Sequence, residues 1–215
     1  MEHGGGGLLS CPRRKDAAMS KQTLQFEYMS LDDFEEMLAD KPADERWELI
    51  GGRVVRMMVG ARLEHNYLVQ NIAYALRECL RARGSPCRTT TETFRLCSAP
   101  EESSLLPDVM VHCNPFDRGA TSISNPVVLA EILSPDSEGR DRTEKWTIYK
   151  KLPSLRHYLI VSRDEPLVEI YDRVGPAWPG SRRVEGLAGE VALPALDLAV
   201  PMAEIYRDVF PNEAA

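Results

Sequence analysis

Val127-Val128-Leu129-Ala130-Glu131-Ile132-Leu133 is the most apolar run of the chain, and a glutamate stands inside it. Asn125-Pro126 and Ser134-Pro135 bound the run, which therefore reads as a buried strand. A buried carboxylate without a partner costs several kcal/mol or takes up a proton, so Glu131 must meet a cation or a donor. Two other residues can share that task. Asp108 follows Pro107 and opens a second apolar stretch, Val109-Met110-Val111. Lys145 heads a helical stripe with Asp141, Ile148, Tyr149 and Leu152, whose apolar members turn it toward a sheet. Two carboxylates at neighbouring strand ends can hold Mg²⁺ or Mn²⁺, hard cations that take oxygen ligands. Such an ion lowers the pKa of a water and offsets charge on a phosphoryl group, while a nearby lysine adds a point charge. These are the parts of phosphodiester hydrolysis.

Each residue also has a structural alternative. Asp108 suits a strand start or turn, Glu131 could pair with an arginine, and Asp141 with Lys145 could form a helical i, i+4 pair. Glu48, His65 and Asp141 form a second tier of candidates. Glu48 is either a third acid near the cation or a solvated hairpin residue. His65 lies on the stripe of Leu68, Val69 and Ile72, where a packed, hydrogen-bonded histidine is the plainer role.

The elements that must position these residues follow from the patterning. Ser30 can cap a helix over 31–39, with Asp32 and Asp33 in its first turn. Trp47-Glu48-Leu49-Ile50 and Arg53-Val54-Val55-Arg56-Met57 flank Gly51-Gly52 and predict a hairpin. An apolar stripe through Leu68, Val69, Ile72, Ala75, Leu76, Cys79 and Leu80 predicts a helix over 63–83, stopped at Gly84. Strands are predicted at about 88–96, 108–113 and 127–133. A helix follows over about 138–151, after Asp136 and Ser137 as caps and before Pro153 as a stop. Residues 156–161 form a further strand, 168–171 an antiparallel edge, and 174–186 a loop. The strand with Glu131, its helix and the strand at 156–161 make a βαβ unit with a right-handed crossover.

The 215 residues hold 43% hydrophobic and 27% charged residues, ordinary for a globular protein, and suffice for a sizeable core. No stretch approaches the roughly 18 apolar residues of a membrane span, so no membrane partner is expected. Residues 1–22 read as a disordered tail with no secretory signal, and 23–215 as one domain. Five cysteines, none in a Cys-x-x-Cys pair, suggest reduced thiols and a cytoplasmic setting. The net charge of −7 weakens a nucleic-acid reading, although arginines cluster at 77, 81, 83 and 88.

Pro107-Asp108-Val109, Ala130-Glu131-Ile132-Leu133-Ser134-Pro135, Asp141-Arg142-Thr143-Glu144-Lys145 and Arg156-His157-Tyr158-Leu159-Ile160-Val161 together resemble the Uma-type restriction endonuclease family. That family belongs to the PD-(D/E)XK nuclease superfamily. Trp47-Glu48-Leu49-Ile50-Gly51-Gly52 and Glu64-His65 also look like its hairpin and first-helix signatures. The resemblance spans about residues 30–210. It implies an α/β fold with an αβββαβ core: a mixed sheet flanked by helices, preceded by a helix and a hairpin. It implies a Mg²⁺-dependent endonuclease acting on DNA, with Asp108 and Glu131 as metal ligands and Lys145 as catalytic lysine. Two positions depart from the pattern. Leu133 stands where the superfamily carries lysine, and Gly51-Gly52-Arg53 where the family turn reads Asp-Gly-Glu. A homodimer stays open, as do a catalytically silent relative that binds DNA or a protein, and a metal-dependent phosphatase.

Overall fold

The computed structural model describes residues 28–58, 60, 62–115, 118–133 and 139–210, so the N-terminal segment 1–22 lies outside the described residues. α1, Leu31–Met37, begins at Ser30, whose hydroxyl accepts the Asp33 N–H, and buries Leu31 and Phe34. Those two side chains pack on Trp47 and Leu49 of the hairpin β1, Glu45–Ile50, and β2, Arg53–Met58. Gly51 and Gly52 both take positive φ, as a two-residue hairpin turn demands. A Cβ on Gly52 would sit 2.3 Å from the Tyr28 ring, so that turn has two reasons for glycine.

α2, Leu63–Ala82, follows, and its buried stripe is the one the spacing predicts. Next come β3, Arg88–Thr91, β4, Arg95–Ser98, β5, Ser103–Leu105, β6, Val109–His112, β7, Ser122–Ile123, and β8, Pro126–Leu133. A π-helical turn, Arg140–Lys145, runs into α3, Trp146–Tyr149. The chain then forms β9, His157–Ser162, β10, Leu167–Asp172, β11, Ser181–Glu185, β12, Glu190–Leu193, β13, Leu198–Pro201, and α4, Met202–Ile205.

Two sheets carry the fold. One has the order β2-β1-β5-β4-β7, the other β11-β10-β9-β8-β6-β3, and β12 pairs with β13. Within the six-stranded sheet only β8 and β9 run parallel, joined through the π-helical turn and α3 as a βαβ unit. β8 is covered on both faces, which is why its sequence is nearly continuous in apolar residues. Val128, Ala130 and Ile132 pack with α2 and α4, whereas Leu129 and Leu133 pack with Ile148 and Tyr149 of α3. Ile50, Leu96 and Leu105 of the five-stranded sheet join that second core, so the two sheets close over the face that carries Glu131.

Four expectations are corrected. The single strand over 88–96 is two strands in different sheets, because the backbone turns at Glu92, where φ is +24°. The helix at about 138–151 is a π-helical turn followed by one short α-helical segment, and its expected caps lie outside the described residues. The loop at 174–186 contains β11, whose Arg182 and Val184 face inward, so β10 is not an edge. Cys87 and Cys113 form a disulfide rather than free thiols. The β3–β6 register pairs Arg88 with His112, which sets those cysteines opposite one another; a separation of 26 residues hid the pair.

Leu129 is wholly buried at the centre of the six-stranded sheet, and Leu187 is half exposed. Leu129→Ala should cost about 2–5 kcal/mol in urea unfolding, through lost transfer energy and a residual cavity. Leu187→Ala should stay within about 0.5 kcal/mol of the parent. Comparable losses in both would contradict the core assigned to β8.

Candidate metal and catalytic centre

The β6–β8 ladder pairs Val109 with Ala130, so Asp108 and Glu131 are the next residues on the two strands. One Asp108 oxygen accepts the Ile132 N–H at 2.7 Å, which fixes the carboxylate against β8. Glu131 is 1% exposed. Its Oε1 accepts from Lys145 Nζ at 3.0 Å and from the Tyr149 hydroxyl at 2.6 Å. Lys145 and Tyr149 stand one helical turn apart, so both reach the same oxygen. Lys145 also lies 3.2 Å from Glu48 Oε1, which accepts the Leu106 N–H at 2.8 Å. The other oxygen of Glu48 is buried and has no partner.

Asp108, Glu131 and Lys145 are thus brought together, and Glu48 joins them. Glu48 is no solvated hairpin residue: β1 turns it inward at 1% exposure. His65 lies at the start of α2 with its Nε2 3.5 Å from both Asp108 and Glu92. The Asp141 side chain lies outside the described residues.

Two participants escaped the sequence reading. Glu92 was hidden inside what looked like one continuous strand. Its positive φ, its N–H donated to the Asp108 carbonyl at 3.2 Å, and its ion pair with Arg46 at 3.2 Å hold it over the site. Such an unfavourable backbone in a non-glycine residue persists only where its surroundings enforce it. Tyr149 passed for an apolar member of the helical stripe, although its place one turn after Lys145 was a usable signal.

The charges sort into two halves. Around Asp108, two acids, Asp108 and Glu92, face two cations, His65 and Arg46. Burial opposes the charge on His65, but Asp108 and Glu92 outweigh it and push the imidazole up to about 10. The converse holds for Asp108: burial works against ionisation, and His65 with Lys145 nevertheless keeps the carboxyl below its usual range. Hydrogen bonding to His65 likewise lowers Glu92. In the other half, Glu48 and Glu131 both meet the ammonium of Lys145. Burial and the adjacent Glu131 drive the Tyr149 hydroxyl well above its ordinary value, so it stays a donor. The second half sets two buried carboxylates beside one ammonium and leaves one Glu48 oxygen without a hydrogen-bond partner, and carboxylate oxygens are the donors a hard divalent cation takes. His65, Glu92 and Asp108 also offer ligand atoms within 4.8 Å of one another.

Comparison with known proteins bears on the family and the fold. The Uma2 family model, described as "Putative restriction endonuclease", matches residues 31–201. Two uncharacterized proteins of Synechocystis are similar. One, sll1609, is 31% identical over 139 residues, covering 63% of this chain and 77% of that protein. The other, slr1290, is 28% identical over 130 residues, covering 60% and 67%. A crystal structure described as a putative nuclease belonging to DUF820, from Anabaena variabilis, aligns with a TM-score of 0.67 at 17% identity. That alignment covers 85% of this chain and 99% of the other, and it establishes a shared fold. Among the described residues no helix is long and apolar enough to cross a membrane.

His65 yields a pH prediction. Its folded pKa is raised from 6.5 to about 10, so its stabilising charge is fully present below pH 6.5 and is lost as pH climbs through 10. In EDTA, the urea midpoint of the parent should therefore fall more steeply between pH 7 and 10 than that of His65→Gln. Parallel curves would mean that His65 carries no such charge.

Proposed function

Because the chain belongs to the Uma2 restriction endonuclease family, we propose that it is a divalent-metal-dependent endonuclease that hydrolyses phosphodiester bonds in DNA. One observation carries the reading: the buried carboxylates of Glu48 and Glu131 both meet the Lys145 ammonium, and the second oxygen of Glu48 is buried without a hydrogen-bond partner. Two carboxylates held close together out of water repel one another, and a divalent cation beside them offsets that repulsion. Asp108 and Glu131 would hold the cation, Mg²⁺ with Mn²⁺ as substitute. When bound, that ion supplies a water of lowered pKa and neutralises charge on the scissile phosphate.

The protein's own groups have separate tasks. Lys145, inward-facing and held between two glutamates, is positioned to meet the negative charge that builds on the phosphoryl oxygens. Tyr149 donates to Glu131 and so fixes the orientation of that carboxylate. His65, protonated between Asp108 and Glu92, can hold a proton at Nε2 close to Asp108. The leucine at 133 does not deprive the site of a lysine, because the helix after β8 returns one to the same carboxylate.

Glu131→Gln tests the reading. It should cut Mn²⁺-dependent nicking of supercoiled plasmid by at least about 100-fold. In EDTA its melting temperature should equal or exceed that of the parent, because Lys145 keeps Glu48 and the repulsion between two buried carboxylates is removed. Mn²⁺ should raise the melting temperature of the parent and not that of the variant. A lower melting temperature in EDTA together with retained nicking would make Glu131 structural and end the proposal.

A further inference from the structure

α2 buries one face and leaves the other open. Leu63, Tyr67, Gln70, Tyr74, Arg77 and Arg81 recur at steps of four and three residues and are all exposed, forming one stripe. Tyr74 is 63% exposed and Leu63 61%, large apolar surfaces with nothing packed over them among the described residues. Beside this stripe, two hollows run between α2 and β3, the edge strand of the six-stranded sheet. The first, of about 590 Å³, is lined by Asn66, Gln70, Tyr74 and Arg77 of α2 and by Thr91 and Glu92 at the end of β3. The second, of about 540 Å³, is lined by Arg77, Arg81, Arg88 and Thr89. Arg77 lines both, so they are neighbours along α2. From Asn66 to Arg81 the helix rises about 22 Å, which sets the length of the trough.

Its ends differ in character. One end opens at Glu92, the residue that pairs with His65 beside Asp108. The far end is basic: the second hollow is lined by three arginines, of which Arg81 pairs with Glu78 at 3.2 Å, and no acid, on a chain whose net charge is −7. Arg207 adds nothing to this balance, because Glu204 pairs with it. A peptide adding to the β3 edge would need pockets for alternate side chains, and beside Val69, Ala73 and Leu80 the lining offers mainly arginine, tyrosine and amide groups. Those are the groups that meet phosphates and the open face of a base.

We propose that this trough tracks a single nucleic-acid strand into the candidate centre, with Arg77 and Arg88 on phosphates and Tyr74 stacked on a base. The proposal rests on the nuclease reading and adds the strand's path and single-stranded character, since a duplex hides its base faces from Tyr74. Tyr67, 37% exposed and seven residues nearer the site on the same stripe, offers a second platform.

Fluorescence anisotropy with a short fluorescein-labelled single-stranded oligonucleotide in EDTA tests this without cleavage. The double variant Arg77→Ala with Arg88→Ala should bind about tenfold more weakly. Its plot of log affinity against log salt should be shallower by about 1.4, the contribution of two phosphates on a single strand. Tyr74→Ala should weaken binding about fivefold or more without changing that slope. Arg183→Ala, on the exposed side of β11, should bind like the parent. The Mn²⁺-induced rise in melting temperature should persist in every variant, which shows the centre intact. Unchanged binding by the double variant and Tyr74→Ala would overturn the trough and leave the nuclease reading standing, as would a parent that nicks plasmid but binds no single strand. A parent that neither binds nor nicks would sink both.

Discussion

The ammonium of Lys145 between Glu48 and Glu131 is the contact on which the arrangement depends. Glu48 comes from β1 of one sheet, Glu131 from β8 of the other, and Lys145 from the π-helical turn that begins the crossover to β9. A single buried charge therefore ties together three pieces of chain that are far apart in sequence. Desolvating three ionised groups is expensive, and well-packed apolar residues would often be as stable or more so. The hydrophobic clusters on either side already close the sheets over this face. The ionic contact is thus better understood as a device that fixes where the two carboxylates stand than as a source of stability.

The π-helical turn fits the same view. A turn with one extra residue appears mostly within helices at functional sites, because it re-aims side chains at the cost of poorer hydrogen bonding. Here it lies immediately before α3 and ends on Lys145. Arg142, within the turn, donates to Glu169 at 2.8 Å, and Glu169 also accepts from Tyr171 and Ser181. That buried glutamate anchors the turn to β10 and β11. The direction of the Lys145 side chain is accordingly fixed from both sides, by the carboxylates it meets and by the clamp behind its backbone.

Much of this was legible in the residues. Glu131 advertised itself because a carboxylate in a continuous apolar run has to be explained, and Lys145 because it headed an otherwise apolar helical stripe. α2 followed from its stripe alone, and the hairpin from Gly51-Gly52. What stayed hidden depends on contacts between distant segments. The break at Glu92 leaves no mark in a run of threonines, because its positive φ is enforced by Arg46 and Asp108 rather than by a local glycine. β11 lay inside a Gly- and Pro-rich stretch and contributes one apolar residue, so its pairing with β10 supplies the evidence that its pattern lacks. Glu48 was ambiguous for a related reason: a hairpin shows which residues share a face, but not which face a second sheet will cover.

The charge distribution gives the centre a direction. Around Asp108 the acids are matched by His65 and Arg46, and the match relies on a proton, the one that keeps His65 charged. Around Glu48 and Glu131 two buried carboxylates meet at the Lys145 ammonium, and the Tyr149 hydroxyl donates to Glu131. Part of the charge of the cluster is thus offset by the protein's own groups. That reconciles four buried or half-buried acids in one small volume with a fold that must remain stable before anything is bound.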